Sequence, residues 1–169
     1  EGELRIPPPE PFRRHRIVSW WYLRDANWSP DFVESSRTVL DFYRREGGTG
    51  DPTIVVGFTP TLASELLRIV GPVEVDGFRF DAENVADELE YQVEVGYHGR
   101  GIPKTQRKAI IPPLSRIVID RLMSRRFRDW APIMDVVQTA IRERHLMASS
   151  SDRDIQALVD QFDLDGRVA

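Results

Sequence analysis

No cysteine occurs among the 169 residues. That absence excludes a disulfide framework, a thiolate nucleophile and a cysteine-type zinc site, and it leaves the cellular compartment open. Histidine is scarce: His15, His98 and His145 are scattered without metal-ligand spacing, so none is assigned to a metal. The serines lack a convincing histidine partner, which argues against a hydrolase triad. No P-loop, GxGxxG, HExxH or GxSxG pattern is present. Neither a signal peptide nor an apolar run long enough to span a bilayer is read in the chain. Nor does charge of one sign dominate: a net charge of −4 gives no overall pull toward nucleic acid or an anionic membrane. What is there is ordinary in amount. Apolar residues make up 41% and charged residues 30%, as in a soluble globular protein, and the length suits one domain with a substantial core. The chain opens on Glu1 rather than methionine, so a piece of a longer protein, with its anchor outside this chain, is expected.

The local patterns predict alternating strands and helices. Residues 1–14, with Pro7, Pro8, Pro9 and Pro11, read as an extended proline-rich arm and a surface linker, and 15–169 as a single α/β domain. Arg16 to Leu23 reads as a buried strand. Ser29-Pro30-Asp31 reads as a helix start with a hydroxyl cap, opening a helix to about Arg45 that Gly47-Gly48 stops. Thr53 to Phe58 is a continuous apolar run, as in a strand buried on both faces. A helix follows from Thr59-Pro60 to Gly71. Two short strands then flank the Asp76-Gly77 turn signal. Asp81 is expected to cap a helix with an acidic outer face. Pro112-Pro113 kinks or restarts a helix after a basic stretch, and Asp129 caps the next. His145 to Ala148 reads as an edge strand. Ser151 reads as the cap of a last helix whose inner face is Ile155, Leu158, Val159 and Phe162.

The stretch Trp20 to Phe32 holds three of the four tryptophans and a knot of polar groups. Arg24, Asp25 and Asn27 fall in the turn between the expected strand and helix, where open α/β sheets bind ligands. The bland alternative is an Arg24–Asp25 salt bridge with an Asx-turn at Asn27 under an aromatic lid. Farther on, Arg100, Lys104, Arg107 and Lys108 cluster in a glycine-containing loop and the helix start beyond it, the last three on one helical face. If that face met the Arg24 turn, the result would be a cationic pocket with Asp25 and Asp31 at its edge. Arginine forks grip phosphate oxygens at two points, and a carboxylate nearby suits a divalent cation. Such a pocket suits a pyrophosphate or phosphodiester. The alternative is a solvated basic face pairing with the acidic helix.

The run Arg24-Asp25-Ala26-Asn27-Trp28-Ser29-Pro30-Asp31-Phe32 resembles the bacterial surface family known as Domain of Unknown Function 4012. Thr53 to Phe58 stands where that family has a core strand. Leu66 to Val75 resembles its "LL-x-x-TGPVxV" segment and Ala82 to Val85 its "TAENV". Lys108 falls on its basic helix, and Glu143 to Leu146 and Ile155 to Leu158 resemble its closing segments. The likeness runs from about Pro7 to Val168. Two departures stand out. The family's N-terminal strand hairpin is not in this chain, and Pro52-Thr53 replaces its usual Asp-Gly. A partner segment replacing the hairpin is therefore an expectation.

The family layout is in turn similar to the LytR-CpsA-Psr group, which transfers glycopolymers from polyprenyl-pyrophosphate onto the cell wall. Arg24-Asp25, Gly71 to Val75 and Lys104 to Lys108 are the matching positions, with Lys104 replacing the first arginine of the group's basic motif. The resemblance implies catalytic roles for Arg24, Asp25 and Arg107, with Arg24 and Arg107 on pyrophosphate. It implies ligand contacts from Asn27, Asp31, Arg100, Lys104 and Lys108, and a Mg2+ ion placed by Asp25 or Asp31. The expectation is thus an α/β single domain, a mixed sheet flanked by helices in a LytR-CpsA-Psr-like layout. Its place would be extracytoplasmic, with membrane contact only through an anchor outside this chain and no nucleic-acid partner. It would bind, and in the enzymatic reading transfer, a phosphate-bearing envelope glycopolymer or its polyprenyl-pyrophosphate carrier. The rival expectation is a non-catalytic envelope scaffold or adhesion module.

Overall fold

The structure, a computed structural model, describes residues 5–15, 19–96, 99, 101, 106 and 108–168. The class is mixed α/β. The chain forms two compact units: Glu1–Gly57 with Met147–Ala169, and Phe58–Leu146. Among the described residues the strands make two two-stranded antiparallel sheets rather than one larger sheet.

The first unit opens with α1, Glu10–Arg14, so the arm is helical at its end rather than extended throughout. Pro11 lies in the first turn, where its missing N–H removes no intrahelical bond. The arm is also docked: Trp21 donates its backbone N–H to Ile6 C=O at 2.8 Å, an isolated antiparallel bridge. The strand expected over Arg16 to Leu23 does not form in the described part. Residues 16–18 lie outside it, and Leu23–Asp25 is a turn of 3-10 helix. The main helix, α2, is Phe32–Arg45. Its cap is Asp31, not Ser29: Asp31 Oδ1 accepts from Glu34 N–H at 2.9 Å, and Ser29 Oγ instead donates to Glu34 at 2.7 Å. Val33, Ser35, Ser36, Leu40 and Phe42 are its buried residues.

Strand β1, Ile54–Phe58, pairs with β4, Leu146–Ser150. Main-chain bonds from Ser151 to Thr53 at one end and from Thr59 to His145 at the other fix the antiparallel sense. The apolar run is not buried on both faces. Ile54, Val56 and Phe58 are 44%, 55% and 52% exposed, and among the described residues only one other strand pairs with β1. Helix α7, Arg153–Gln161, is capped by Asp152 rather than Ser151: Asp152 Oδ1 accepts from the amides of Asp154 and Ile155. Val159 is buried, whereas Leu158 and Phe162 face solvent against expectation. Gly166, at φ +59, then brings its carbonyl to the Phe32 amide at 3.1 Å.

The second unit is organised around a hairpin. β2, Val73–Val75, and β3, Phe78–Phe80, pair with Val73 opposite Phe80. The Asp76-Gly77 turn has positive φ at both residues, as a tight hairpin whose twist matches its strands requires. Val73 and Phe80 are fully buried beneath α3, Pro60–Val70, with Leu67, and α5, Ile111–Met123, with Leu114 and Val118. Pro112-Pro113 sit in the first turn of α5, so they restart the helix. Helix α4 begins at Val85 rather than directly after Asp81, whose carboxylate instead accepts from the Glu83 and Asn84 amides. It runs to Tyr91 and continues as a wider helical turn, Gln92–Gly96. Helix α6, Ala131–Arg142, starts after a short 3-10 turn that ends at Asp129, so the residue before it is Trp130.

Candidate functional site

In the first unit the Arg24 turn is held from both sides. The Trp21 ring meets Phe42 edge-on at 5.0 Å, and its indole N–H donates to Asp25 C=O at 3.0 Å. The Leu23 amide donates to Glu46 Oε1 at 3.3 Å. These contacts fix the backbone, and Arg24 extends from it with half its side chain exposed. Its guanidinium lies 4.9 Å from the Tyr22 ring centre, a cation–π contact that limits its rotamers while leaving donors open. Arg24 Nε stands 3.4 Å from Asp25 Oδ2, the ion pair foreseen as the bland alternative. The geometry falls short of a hydrogen bond, and Asp25 Oδ2 is buried with no hydrogen-bond partner. The Arg24 charge offsets its burial, and the atom retains an unused capacity to accept a hydrogen bond.

Asn27 is exposed and makes no side-chain hydrogen bond among the described residues, so the Asx-turn is not formed. The aromatic cover is partial: Trp28 packs edge-on against Phe12 at 5.7 Å and is still 40% exposed. Asp31 has a structural post. One oxygen accepts from Glu34 N–H and the other from Val168 N–H at 3.4 Å. The Glu34 amide, foremost, holds its carboxyl below the usual value, with Val168, Val33 and Arg167 adding to it against desolvation.

In the second unit, Arg100, Lys104 and Arg107 lie outside the described residues, as does His98. Lys108 is exposed in the turn that leads into α5. Three residues on, Ile111 joins the wall of an apolar groove of about 160 Å³ lined by Leu62, Leu66, Leu89, Leu114 and Val118 among others. A separate cleft of about 270 Å³ carries Glu65, Asp135, Glu143 and His145. His145 Nδ1 bonds Thr59 Oγ1 at 3.0 Å, and Nε2 faces Glu143 at 3.5 Å. No sequence signal joined Thr59 to His145, because they are 86 positions apart. Among the described residues no three His, Asp or Glu side chains gather as a metal site. For magnesium, Asp25 Oδ2 accepts no hydrogen bond but already faces Arg24 in an ion pair, and both oxygens of Asp31 accept backbone amides. No helix among the described residues is long and apolar enough to cross a membrane.

The fold and these side chains define a small α/β protein with a cationic turn and an apolar groove, and with no assembled catalytic triad or metal cage among the described residues. The sequence model of the family described as "Protein of unknown function (DUF4012)" matches residues 3–93, and the chain belongs to that family. The match takes in the Arg24 turn, β1 and the hairpin. The resemblance of the later segments, at Lys108, Glu143 and Ile155, falls outside it. No curated protein and no solved structure matches the chain.

Proposed function

We propose that the chain is an extracytoplasmic envelope module that binds a phosphate-bearing glycopolymer or its polyprenyl-pyrophosphate carrier. The observation that carries this reading is the Arg24–Asp25 pair: a half-exposed guanidinium steadied on Tyr22, beside a carboxylate oxygen with no hydrogen bond. A cation with open donors suits phosphate oxygens, and a carboxylate oxygen that accepts no hydrogen bond suits the magnesium that accompanies pyrophosphate. Transfer of the polymer is the enzymatic extension of the same reading, by electrostatic positioning of the phosphoryl group.

The rival, a non-catalytic scaffold or adhesion module, is favoured by one specific observation. Asp25 already gives Arg24 an internal ionic partner. Calorimetric titration of farnesyl pyrophosphate with magnesium separates the two. Binding by the wild type that falls about tenfold or more in Arg24→Ala supports the first, since a charge-assisted contact commonly accounts for at least that. Absence of binding to the folded wild type supports the scaffold.

A further inference from the structure

A polar cleft of about 330 Å³ lies wholly within the first unit, between α2 and the segment that joins β4 to α7. Ser36 and Arg37 line it from α2, and Ser149, Asp152, Arg153 and Gln156 from the other side. Neither arginine makes an ion pair among the described residues. Arg153 is moreover the first residue of α7, the end of a helix where the macrodipole disfavours a cation. Ser36 is 2% exposed, and its Oγ has no hydrogen-bond partner. A serine within a helix ordinarily turns its hydroxyl to solvent or to the preceding turn. An orphaned hydroxyl and two unpaired guanidinium groups on one cleft are hard to account for by folding alone.

We infer that this cleft is a binding site for a phosphate monoester, with Arg37 and Arg153 holding the oxyanion and Ser36 Oγ donating to it. Two guanidinium groups against the single Asp152 carboxylate leave a surplus of one positive charge. That carboxylate is partly committed, since its Oδ1 accepts the Asp154 and Ile155 amides. The helix end is therefore already satisfied, and side chains rather than backbone amides hold the ligand. Arginine forks match the planar spacing of phosphate oxygens. The cleft, at about 330 Å³, is about ten times the ~30 Å³ share of one water.

The site is distinct from the Arg24 turn and does not depend on the reading given for it. The test is titration of inorganic phosphate and of glucose 1-phosphate into the full chain at low salt. Arg37→Ala and Arg153→Ala are each expected to weaken binding about tenfold. Ser36→Ala is expected to weaken it several-fold without lowering the melting temperature, because the hydroxyl has no internal partner to lose. Arg45→Ala, on the same helix α2 but outside the cleft and paired with Asp41, is expected to leave it unchanged. Wild type that binds neither probe, or equal affinity in the Arg37→Ala, Arg153→Ala double variant, overturns the inference. Binding abolished by Arg24→Ala but not by the cleft variants also overturns it, while supporting a phosphate site at the Arg24 turn.

Discussion

Among the contacts that hold the Arg24 turn, the Trp21–Phe42 pair is the one whose removal is the most informative perturbation of the first unit. Phe42 is 1% exposed, and the Trp21 ring meets it at 80° with centroids 5.0 Å apart. Truncating a buried phenylalanine costs about 3–5 kcal/mol, from lost transfer energy and the cavity left behind. In a chain of this length a kcal/mol corresponds to roughly 2–4 °C, so Phe42→Ala should melt on the order of 6–20 °C lower. Most of that loss is generic. The specific part is the coupling between the two rings, expected at about 0.5–1.5 kcal/mol beyond area burial. A double-mutant cycle of Trp21→Ala and Phe42→Ala, read by urea denaturation with circular dichroism, isolates it. Amide exchange at Asp25 and Ala26 should also quicken in Phe42→Ala, since Trp21 ties the turn through its bond to the Asp25 carbonyl. A coupling below ~0.3 kcal/mol, the ordinary scatter of additivity, would show that the turn is held by its other contacts.

Two further predictions concern single positions. Asp31→Asn keeps a capping oxygen for the Glu34 amide and removes the charge. The folded carboxyl sits below its usual 3.8, so the stability it contributes is present above that value and lost as pH falls through the lowered one. Thermal melts from neutral to strongly acidic pH should show a shallower acid decline in the variant, and identical declines would refute the linkage. Gly166→Ala forces a side chain onto φ +59, where its Cβ would meet Met147 Sδ at 2.7 Å and Phe32 Cβ at 2.9 Å. A loss of about 1–3 kcal/mol in urea denaturation is expected, and a neutral result would mean that Met147 moves aside freely.

Punctuation was the legible part of this sequence. Asp76-Gly77, Gly71, Gly47 and Pro112 each marked a boundary that the structure has, because positive φ or a missing N–H is a local constraint. Helix starts are legible to within a few residues, but the capping residue differs at four of them, where Ser29, Asp81, Asp129 and Ser151 are expected. Both Ser29-Pro30-Asp31 and Ser151-Asp152 offer two oxygens, and in each case the carboxylate takes the helix amides. Burial was less readable. Composition alone does not tell a strand covered on both faces from one in a two-stranded ribbon, so Val56 and Phe58 were placed inside. The candidate site was legible only where it is contiguous. Arg24 and Asp25 are neighbours in sequence and in space, whereas the cleft joining Arg37 to Arg153 spans most of the chain and left no local signal.

The stretch that the family model covers is not expected to fold by itself. Residues 3–93 include β1 but not β4, and they include the hairpin but not α5. The buried cluster of the second unit draws Ile110, Leu114 and Val118 from beyond the match, three of its nine buried members. Burying an aliphatic side chain of that size contributes roughly 1.5–3 kcal/mol, so the three together approach the whole stability of a typical domain, about 5–15 kcal/mol. The first unit loses as much order, because the Phe32 amide would have no Gly166 carbonyl and β1 no partner strand. A chain ending at Gly96 is therefore expected to be unfolded. Its amide proton spectrum should be collapsed and its thermal trace non-cooperative, while residues 1–169 melt cooperatively. A dispersed spectrum and a cooperative melt from the short chain would refute this. The matched stretch would then carry its own core, and the elements after it would be additions to a smaller fold.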